Sequence, residues 1–266
     1  MLASDNFVFV LLRPNFLGNI GSSARVLKNF GFFQLRMVTP PKNYLDAEAR
    51  KMAVDAFDVL KKAKVYDSLS AALEDVHLAV ATSCGQYRIN TAQDLGQLTE
   101  ELFASPSSSS DSAAETKPGL SDKNLIAIVF GDERNGMTNE EIDRCHRLMR
   151  IESNPQFPSL NLALALGIVA YRLSLALTSH DNTHCPEDNS ASSESKILRM
   201  SGQEEDQLLE KVVRLMDLAD FSRSFSRKKV ATELRGTIQR MDLSQREGLI
   251  WMGLLSKTIA RLPPSE

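Results

Sequence analysis

Four apolar runs in the first half of the chain constrain its fold more than any other feature. The runs are FVFVLL at Phe7–Leu12, LRMV at Leu35–Val38, HLAVA at 77–81 and LIAIVF at 125–130. None of them alternates apolar with polar residues, and such continuous apolarity is typical of strands covered on both faces, as in a parallel sheet. The run RLMRI at 147–151 is a weaker strand candidate.

Helices are predicted between the strands, over residues 19–30, 47–61 and 139–145. Strands that alternate with helices predict an α/β fold, in which helices flank a mainly parallel sheet. The chain has 266 residues, of which 42% are hydrophobic. That is enough for one α/β domain and a small second domain.

Two polar stretches divide the chain. ASPSSSSDSAAETKPGLSDK, at 104–123, is serine-rich and of low complexity, so we predict a disordered surface insertion there. A second polar stretch, at 179–195, predicts a domain boundary. We therefore expect an α/β domain over 1–178, a linker over 179–200 and a helical accessory domain over 201–266.

The accessory domain is predicted to contain a helix through QLLEKVVRLMDLADF and two more near 228–241 and 244–261. Its middle is basic. Between 223 and 240 six cations face one acid, Glu233, a local charge of +5 in a chain whose formal net charge is −3. The cations are Arg223, Arg227, Lys228, Lys229, Arg235 and Arg240. A solvated helix face and a surface for nucleic-acid phosphates both account for this cluster.

Cysteine and histidine usage argues against several classes of protein. The cysteines Cys84, Cys145 and Cys185 are odd in number and form no C-x-x-C pair, so a reducing compartment, the cytoplasm, fits best. His180 and His184 lie near Cys185 without a fourth ligand, and no metal site is predicted. The amino terminus, MLASDNFVFVLL, lacks the basic stretch of a signal peptide.

The apolar run at 160–178 is long enough to raise the question of a membrane span. It contains Asn161 and Arg172. An arginine at the centre of a bilayer costs about 2.5–3.5 kcal/mol on insertion scales. A helix buried in the core of a soluble protein is therefore the better interpretation, and no membrane partner is expected.

Three polar segments are candidates for function, and the first is RPNFLGNIGSSARVLKNFG at 13–31. Its Gly18-x-x-Gly21 resembles a phosphate-binding turn. The dinucleotide motif G-x-G-x-x-G is absent, which disfavours a nucleotide-dependent oxidoreductase. A tight strand-to-helix turn would explain the glycines without a ligand, but it would not explain the polar set of asparagine, serine and arginine beside them.

The second segment, VFGDERNGMTNEEID at 129–143, begins at the carboxyl end of a predicted strand. Ligands in α/β proteins bind in the loops after the carboxyl ends of parallel strands. Thr138 is predicted to cap the next helix, with Glu141 in the capping-box position. Because two glycines bracket four polar residues, a ligand loop is favoured over an ordinary charged loop.

The third segment, NPQFPSLNLALALG at 154–167, joins a proline-stiffened polar loop to an apolar helix. Ser159 is predicted to cap a helix that begins near Leu160. The amino end of such a helix offers free backbone N–H groups to a ligand. A plain cap would account for Ser159 but would leave Asn161 unexplained.

The order of the three segments is more specific than any one of them. Together they resemble the three motifs of the TrmH (SpoU) family, which belongs to the SPOUT superfamily of S-adenosylmethionine-dependent RNA 2′-O-ribose methyltransferases. With its helical tail, the chain is most similar to the TrmJ branch of that family. The stretch ATSCGQYRI, which begins at Ala81, departs from the pattern of the branch.

The resemblance implies a fold and an activity. The fold is a parallel sheet with a trefoil knot in the carboxyl half of the α/β domain, assembled as a homodimer whose interface includes the helix after the third segment. The activity is methyl transfer from S-adenosylmethionine to tRNA, at the pyrimidine ribose of position 32 in the anticodon loop. An rRNA substrate and a catalytically degenerate RNA-binding SPOUT protein are the alternatives.

The resemblance also implies site residues, carried over motif by motif. The catalytic residues are expected to be Arg25, Asn19, Glu133, Ser159 and Asn161. The residues expected to bind S-adenosylmethionine are Thr82, Ser83, Gly85, Gly131, Gly136, Ile151, Ser159 and Leu160. The residues expected to contact RNA are Arg25, Arg223, Arg227, Lys228, Lys229 and Arg235.

Arg25 is expected to be the central residue of the reaction. Two roles are open: a general base, or a clamp on the neighbouring phosphate that also stabilises developing alkoxide charge. A guanidinium has a pKa above about 12 and does not readily lose its proton. We therefore favour the clamp.

Overall fold

The structure is a computed structural model of the chain and describes residues 2–83, 92–103, 120–182, 197–219, 221 and 226–262. Within these residues, seven strands form one sheet. The strands are β1 (Phe7–Leu12), β2 (Leu35–Val38), β3 (Lys64–Tyr66), β4 (Leu78–Thr82), β5 (Gln93–Asp94), β6 (Ile126–Phe130) and β7 (Arg147–Arg150). The helices are α1 (Leu17–Asn29), α2 (Ala47–Ala53), α3 (Phe57–Lys62), α4 (Leu69–Ala72), α5 (Leu95–Phe103), α6 (Asn139–Ile142), α7 (Leu162–Asn182), α8 (Gly202–Leu218), α9 (Arg227–Met241) and α10 (Gln245–Ile259).

Every strand pair in the sheet is parallel, and the strand order is β3-β2-β1-β6-β4-β7-β5. The side chains of β1 divide between two apolar cores. Phe7 and Phe9 join the larger core, which includes α1 and α7, whereas Val8 and Val10 join the core on the other face. Burial on both faces explains the continuous apolar run, and the predicted parallel sheet flanked by helices is confirmed.

The strands predicted from apolar runs lie within one residue of their observed bounds. The prediction missed β3 and β5, which lie at the two edges of the sheet. Lys64 and Val65 of β3 are exposed, and β5 consists of two polar residues. Short edge strands bury little apolar surface, so the sequence carries no apolar run to reveal them.

The helix predicted over 47–61 is interrupted in the structure. It divides into α2, a 3-10 turn over Val54–Ala56 and α3. Val54 adopts φ 51°, in the left-handed region that a continuous helix of L-residues does not use. The helices α4 and α5 were not predicted.

Gly21 lies inside α1, not in a strand-to-helix turn. A Cβ built on Gly21 would lie 2.2 Å from the carbonyl oxygen of Ala49 in α2. The glycine is therefore required for the close approach of two helices. Neither the phosphate-binding turn nor the tight turn considered for Gly18-x-x-Gly21 is correct.

The helix α7 has two different apolar faces. Leu166, Val169 and Leu173 are fully buried, whereas Leu164 and Tyr171 are about half exposed. By length and composition alone, the part over 162–179 could cross a membrane: its mean hydropathy is 1.7, and 33% of it is buried inside the protein. The predicted burial of this helix is thus confirmed for one face, and the other face stays exposed in a single chain.

The predicted helical tail is confirmed as α8, α9 and α10, which enclose a small core of their own. Its buried apolar side chains are Met200, Leu208, Leu209, Ile238 and Leu255. The tail docks on the α/β domain where the N–H of Gly202 donates to the carbonyl of Val76 at 2.8 Å. Arg147 of β7 donates to Asp242 at 2.8 Å, and Arg199 donates to the same carboxylate at 3.0 Å.

The domain boundaries stay predictions. The helix α7 continues to Asn182, four residues beyond the predicted end of the α/β domain at 178. Most of the predicted linker, 183–196, and most of the predicted insertion, 104–119, lie outside the described residues. The trefoil knot also stays a prediction.

Gly21→Ala should lower the free energy of unfolding by about 1–3 kcal/mol, because the added methyl group overpacks the contact between α1 and α2. The matched control is Gly253→Ala in α10, where an added Cβ meets no atom within 4 Å. The control should gain up to about 1 kcal/mol from the helix propensity of alanine. Urea unfolding measures both changes, and equal stability of the two variants would contradict the packing role of Gly21.

Candidate active site

Three loops meet at the carboxyl edge of the sheet, after β1, β6 and β7. Parallel strands bring their carboxyl ends to one edge, and the register Leu11↔Phe130 sets the first two loops side by side. A cleft of about 320 Å³ lies between the second loop, the third loop and the end of β4. Its lining residues are Thr82, Ser83, Phe130, Gly131, Asp132, Glu133, Arg134, Asn135, Gly136, Met137, Ile151, Pro158, Ser159, Leu160, Leu162 and Ala165.

The cleft collects most of the residues that were predicted to bind the cofactor. Seven of the eight line it, and the eighth, Gly85, lies outside the described residues. These seven residues come from β4, from the second loop and from the third loop. The structure thus places them together, while their role in binding stays a prediction.

A chain of side-chain hydrogen bonds links the three predicted motifs beside this cleft. Nδ2 of Asn161 donates to Oδ1 of Asn19 at 2.9 Å. Nδ2 of Asn19 in turn donates to Oε1 of Glu133 at 2.9 Å. Each amide is thereby fixed in one orientation, because its oxygen and nitrogen face partners of opposite kind.

Glu133 is an anchored carboxylate. Its Oε2 accepts the N–H of Asn15 at 2.9 Å, and its Oε1 accepts the N–H of Phe16 at 3.3 Å, at the start of α1. Burial by itself would raise the pKa of Glu133, but the hydrogen bond from Asn19 and the backbone N–H groups outweigh it, so its pKa is lowered. The group is therefore ionised at neutral pH and is a weak base.

The loop after β6 is shaped by Asp132 and by two glycines. Oδ1 of Asp132 accepts the N–H groups of Arg134 and Asn135 at 2.9 and 2.6 Å. Gly136 has φ 67°, and a Cβ on Gly131 would lie 2.3 Å from the backbone of Gly136. The loop folds back on itself so tightly that a side chain would not fit at Gly131, and the positive φ of Gly136 favours glycine there. Both glycines line the cleft.

The cap of α7 differs from the prediction. Oδ1 of Asn161, not Ser159, accepts the N–H groups of Ala163 and Leu164, at 3.0 and 3.3 Å, and the helix begins at Leu162. The side chain of Asn161 thus caps α7 and donates to Asn19 at the same time. Ser159 is exposed and lines the cleft, which leaves its hydroxyl available for a ligand.

Arg25 is separate from this chain of hydrogen bonds. It is exposed on α1 and makes no hydrogen bond or ion pair with any residue that the structure describes. Six residues of α-helix place it about 9 Å along the axis from Asn19 and about 240° around it. Within one chain, the structure unites Asn19, Glu133 and Asn161, with Ser159 nearby, but does not bring Arg25 to them.

Three of the cations predicted to contact RNA are paired with acids. Arg227 donates to Asp217 at 2.8 Å, Lys228 donates to Glu140 at 2.7 Å, and Arg235 lies 2.5 Å from Asp206. Lys229 is exposed and has no partner among the described residues. Arg223 lies outside the described part of the chain. The basic surface of α9 is therefore less positive than its sequence suggests.

Sequence reasoning overlooked two residues of the site. Asp132 had a local signal, since an aspartate two or three residues before N–H groups of a turn commonly accepts from them. Arg13 had none. Its guanidinium binds Glu141 of α6 and lies 3.6 Å from Asp132, across more than a hundred residues of sequence.

The remaining reactive candidates do not form a site. Cys145 is buried, and burial raises its pKa to about 12, so it is an unreactive thiol at neutral pH. Cys84 and Cys185 lie outside the described residues. Among the residues that the structure does describe, there is no group of three metal-binding side chains.

A parallel sheet with a glycine-containing loop, an asparagine–carboxylate chain and a cleft at its carboxyl edge defines an α/β protein with a candidate binding site at that edge. The model of the SpoU rRNA Methylase family matches residues 6–171. The chain belongs to this family. Its predicted membership of the TrmH (SpoU) group is confirmed.

Relatives of similar sequence are known from bacteria and archaea. An uncharacterized tRNA/rRNA methyltransferase of Haemophilus influenzae is 35% identical over 179 residues, which cover 67% of this chain and 66% of that protein. The tRNA (cytidine-2′-O-)-methyltransferase TrmJ of Methanocaldococcus jannaschii is 35% identical over 164 residues, covering 62% and 65%. The chain thus spans slightly less than two thirds of the length of these relatives.

Solved structures share the fold over almost the whole chain. TrmJ from Z. mobilis ZM4 has a TM-score of 0.72 at 22% identity, covering 94% of this chain and 98% of that one. A probable methylase family protein from Haemophilus influenzae Rd KW20 has a TM-score of 0.59 at 30% identity, covering 97% and 98%. The SPOUT-type fold with a helical tail, as predicted, is confirmed.

Glu133→Gln should lower the free energy of unfolding at pH 7 by about 1–2 kcal/mol, because the amide nitrogen cannot accept a hydrogen bond and the amide oxygen accepts only neutral ones. The pKa of Glu133 is lower in the folded protein than its ordinary value of 4.5. Its stabilisation is therefore fully present above pH 4.5 and is lost as the pH falls through the folded pKa.

The difference in stability between Glu133→Gln and the unaltered protein should accordingly shrink below pH 4.5. Urea unfolding at neutral and acidic pH measures it. The control is Glu100→Gln, an exposed glutamate of α5 that makes no hydrogen bond with the described residues. A difference that is independent of pH would show that the charge of Glu133 does not stabilise the fold.

Proposed function

We propose that the protein transfers a methyl group from S-adenosylmethionine to a ribose 2′-hydroxyl of tRNA. The observation that carries the proposal is the chain Glu133–Asn19–Asn161 beside the cleft. The names of relatives at 35% identity support the reaction and the substrate class. We place the target at the cytidine or uridine ribose of position 32 in the anticodon loop, with rRNA as the alternative substrate.

The cleft fits S-adenosylmethionine by size and by lining. Small-molecule sites occupy about 300–1,000 Å³, and this cleft, at about 320 Å³, falls in that range. Met137, Ile151 and Leu160 offer apolar surface for an adenine ring, while the loop of Gly131 and Gly136 offers backbone groups for hydrogen bonds. When bound, S-adenosylmethionine supplies an electrophilic methyl group.

The residues of the chain must then hold the ribose oxygen in line, about 3–3.5 Å from the methyl carbon. Asn19 and Asn161 already have fixed orientations, so they need no reorganisation when the ribose arrives. Ser159 is exposed and lines the cleft, which supports a role for its hydroxyl in binding the sugar. Glu133 holds Asn19 and does not take the hydroxyl proton, since its lowered pKa makes it a poor base. The O–CH3 bond would form as the S–CH3 bond breaks, S-adenosylhomocysteine would leave, and the proton would pass to the neighbouring phosphate or to water.

Arg25 completes the site from a second copy of the chain in this proposal. Its neighbour Val26 packs against α7, where a Cβ on Gly167 would lie 3.4 Å from a Val26 methyl group. The exposed apolar face of α7, the helix that Val26 contacts, carries Leu164 and Tyr171. A homodimer formed over this face would bury it and would present each Arg25 to the cleft of the partner, as phosphate clamp.

The helical tail is proposed to hold the body of the tRNA. The exposed pair Lys228–Glu140 lies between α9 and α6, the helix that follows the cleft loop. An exposed ion pair contributes only about 0–1 kcal/mol to stability. A phosphate group of the RNA can therefore replace Glu140 as the partner of Lys228 at little cost. Arg223, Arg227, Lys229 and Arg235 are proposed to extend this surface. A cytoplasmic location and the trefoil knot belong to the same proposal.

Transfer of tritiated methyl groups onto total tRNA and total rRNA, followed by nucleoside mapping, tests the reaction. We expect label in 2′-O-methylcytidine or 2′-O-methyluridine of tRNA. Label found in rRNA alone would show that the substrate is rRNA and not tRNA. Binding of S-adenosylmethionine in calorimetry without transfer to either RNA would favour a degenerate RNA-binding protein.

Arg25→Ala and Asn161→Ala should each abolish most of the methyl transfer, by about a hundredfold or more. A mixed dimer with one variant in each subunit should recover about half of the activity, because one of its two clefts combines an intact Asn161 with an intact Arg25. Tandem-tag purification isolates this mixed dimer. An inactive mixed dimer would place Arg25 at the cleft of its own chain.

Replacing Lys228 and Lys229 by alanine should weaken tRNA binding by about tenfold and reduce the slope of log affinity against log salt by about 2. The matched control replaces Lys62 and Lys64 by alanine. Both lysines are exposed near the amino end of β3, which is an edge strand of the sheet. Filter binding at several salt concentrations measures both. Equal slopes for the two double variants would remove α9 from the RNA-binding surface.

A further inference from the structure

Arg13 is the first residue after β1 and has an unusual backbone. Its φ is 44°, in the left-handed region, while its N–H donates to the carbonyl of Val38 at 2.8 Å. Thr39 repeats this arrangement after β2, with φ 45° and an N–H that donates to Tyr66 at 3.0 Å. The backbone turn is therefore a property of these strand ends, and what distinguishes Arg13 is the use of its side chain.

The guanidinium of Arg13 reaches both ends of the loop after β6. It donates through both terminal nitrogens to the two carboxylate oxygens of Glu141, and its Nε lies 3.6 Å from Asp132. The pairing with Glu141 raises the pKa of Arg13, and the same pairing outweighs burial to lower the pKa of Glu141. All three groups are charged at neutral pH, and Asp132 is almost fully buried.

Both partners of Arg13 hold backbone groups of the cleft wall. Asp132 accepts the N–H groups of Arg134 and Asn135, and Glu141 accepts the N–H of Thr138 at 2.8 Å. The loop from 131 to 138 is thus fastened at its start and at its end by carboxylates that share one guanidinium. An arginine is suited to this, because its planar fork binds a carboxylate at two points and leaves Nε for another.

The residues that follow Arg13 bind a third carboxylate of the loop after β6. The N–H groups of Asn15 and Phe16 donate to Glu133. The loops after β1 and β6 are therefore joined by three carboxylates in succession. Two of these point to Arg13, and the third continues into the chain of Asn19 and Asn161. The cleft wall and the two asparagines are therefore linked by one continuous series of polar contacts.

We propose that Arg13 is a positioning residue, which holds the cleft loop and sets Glu133, and through it Asn19, for the reaction without touching substrate. Its effect on the reaction rests on the proposed function. A direct contact between Arg13 and an RNA phosphate is disfavoured, because both terminal nitrogens are occupied by Glu141 and Nε faces Asp132.

Arg13→Gln tests the inference, with Thr39→Gln as the matched control at the twin backbone position. Thr39 is exposed and its side chain makes no hydrogen bond with the described residues. In hydrogen exchange, Arg13→Gln should accelerate exchange of the amides of Arg134, Asn135 and Thr138 by about tenfold, and Thr39→Gln should leave them unchanged. This measurement needs neither cofactor nor RNA.

In calorimetry and steady-state kinetics, Arg13→Gln should weaken S-adenosylmethionine binding and lower kcat by about tenfold or more, with the KM for tRNA changed less than about twofold. Arg13→Lys should recover only part of the loss, since one ammonium group cannot serve both carboxylates. Glu141→Gln combined with Arg13→Gln should cost no more than Arg13→Gln alone, as expected for partners in one contact.

The outcomes separate this inference from the proposed function. If the unaltered protein neither binds S-adenosylmethionine nor methylates RNA, the proposed function fails, and the exchange experiment still decides the role of Arg13. If the unaltered protein is active but Arg13→Gln leaves loop exchange and cofactor affinity unchanged, the positioning role is overturned. If Arg13→Gln only raises the KM for tRNA and reduces the slope of log tRNA affinity against log salt, Arg13 contacts an RNA phosphate instead.

Discussion

The parallel pairing of β1 with β6 is the constraint on which the rest of the structure depends. These strands are separated by more than a hundred residues, yet they lie in register from Phe7↔Ile126 to Leu11↔Phe130. Their side chains are almost completely buried, so apolar burial on both faces holds the pair in a fixed position. Because the strands are parallel, both end at the same edge of the sheet, and their loops are brought together there. The contacts of Arg13 and Asn19 with the carboxylates after β6 follow from this pairing, and the pairings of β4 with β6 and β7 add the rest of the cleft.

Three ionised carboxylates organise the carboxyl edge of the sheet, and each of them accepts hydrogen bonds from neighbouring groups. Asp132, Glu133 and Glu141 are all ionised at neutral pH, and in each case hydrogen bonds outweigh the effect of burial on the pKa. Their partners are backbone N–H groups, the amide of Asn19 and the guanidinium of Arg13. Such contacts hold the loops in place, which is the condition for a site whose polar groups need not rearrange during a reaction.

Within the described residues, a single chain forms the cleft but unites only some of the residues that were predicted to be catalytic. Asn19, Glu133 and Asn161 form their hydrogen bonds within one chain, and Ser159 lies at the same cleft. Arg25 has no partner among the described residues, and the helix α7, which contacts α1 at Val26, exposes Leu164 and Tyr171. An exposed apolar helix face and an unpaired arginine are two properties that a second copy of the chain would satisfy together, and this is the physical basis for the proposed dimer.

The sequence by itself determined the central strands, the three motif segments and the helical tail, because apolar runs and helical spacing are local signals of burial. The edge strands β3 and β5 escaped prediction, since they bury little apolar surface. The resemblance to a family supplied Asn19, Glu133 and Asn161, but only the tertiary structure showed that they are joined by hydrogen bonds. Only the structure showed that Asn161, and not Ser159, caps α7. It also showed that Gly21 serves the packing of two helices. Only the fold paired Arg13 with Glu141, and Lys228 with Glu140. Ion pairs between distant residues leave no local pattern, because they depend on which surfaces the core brings into contact.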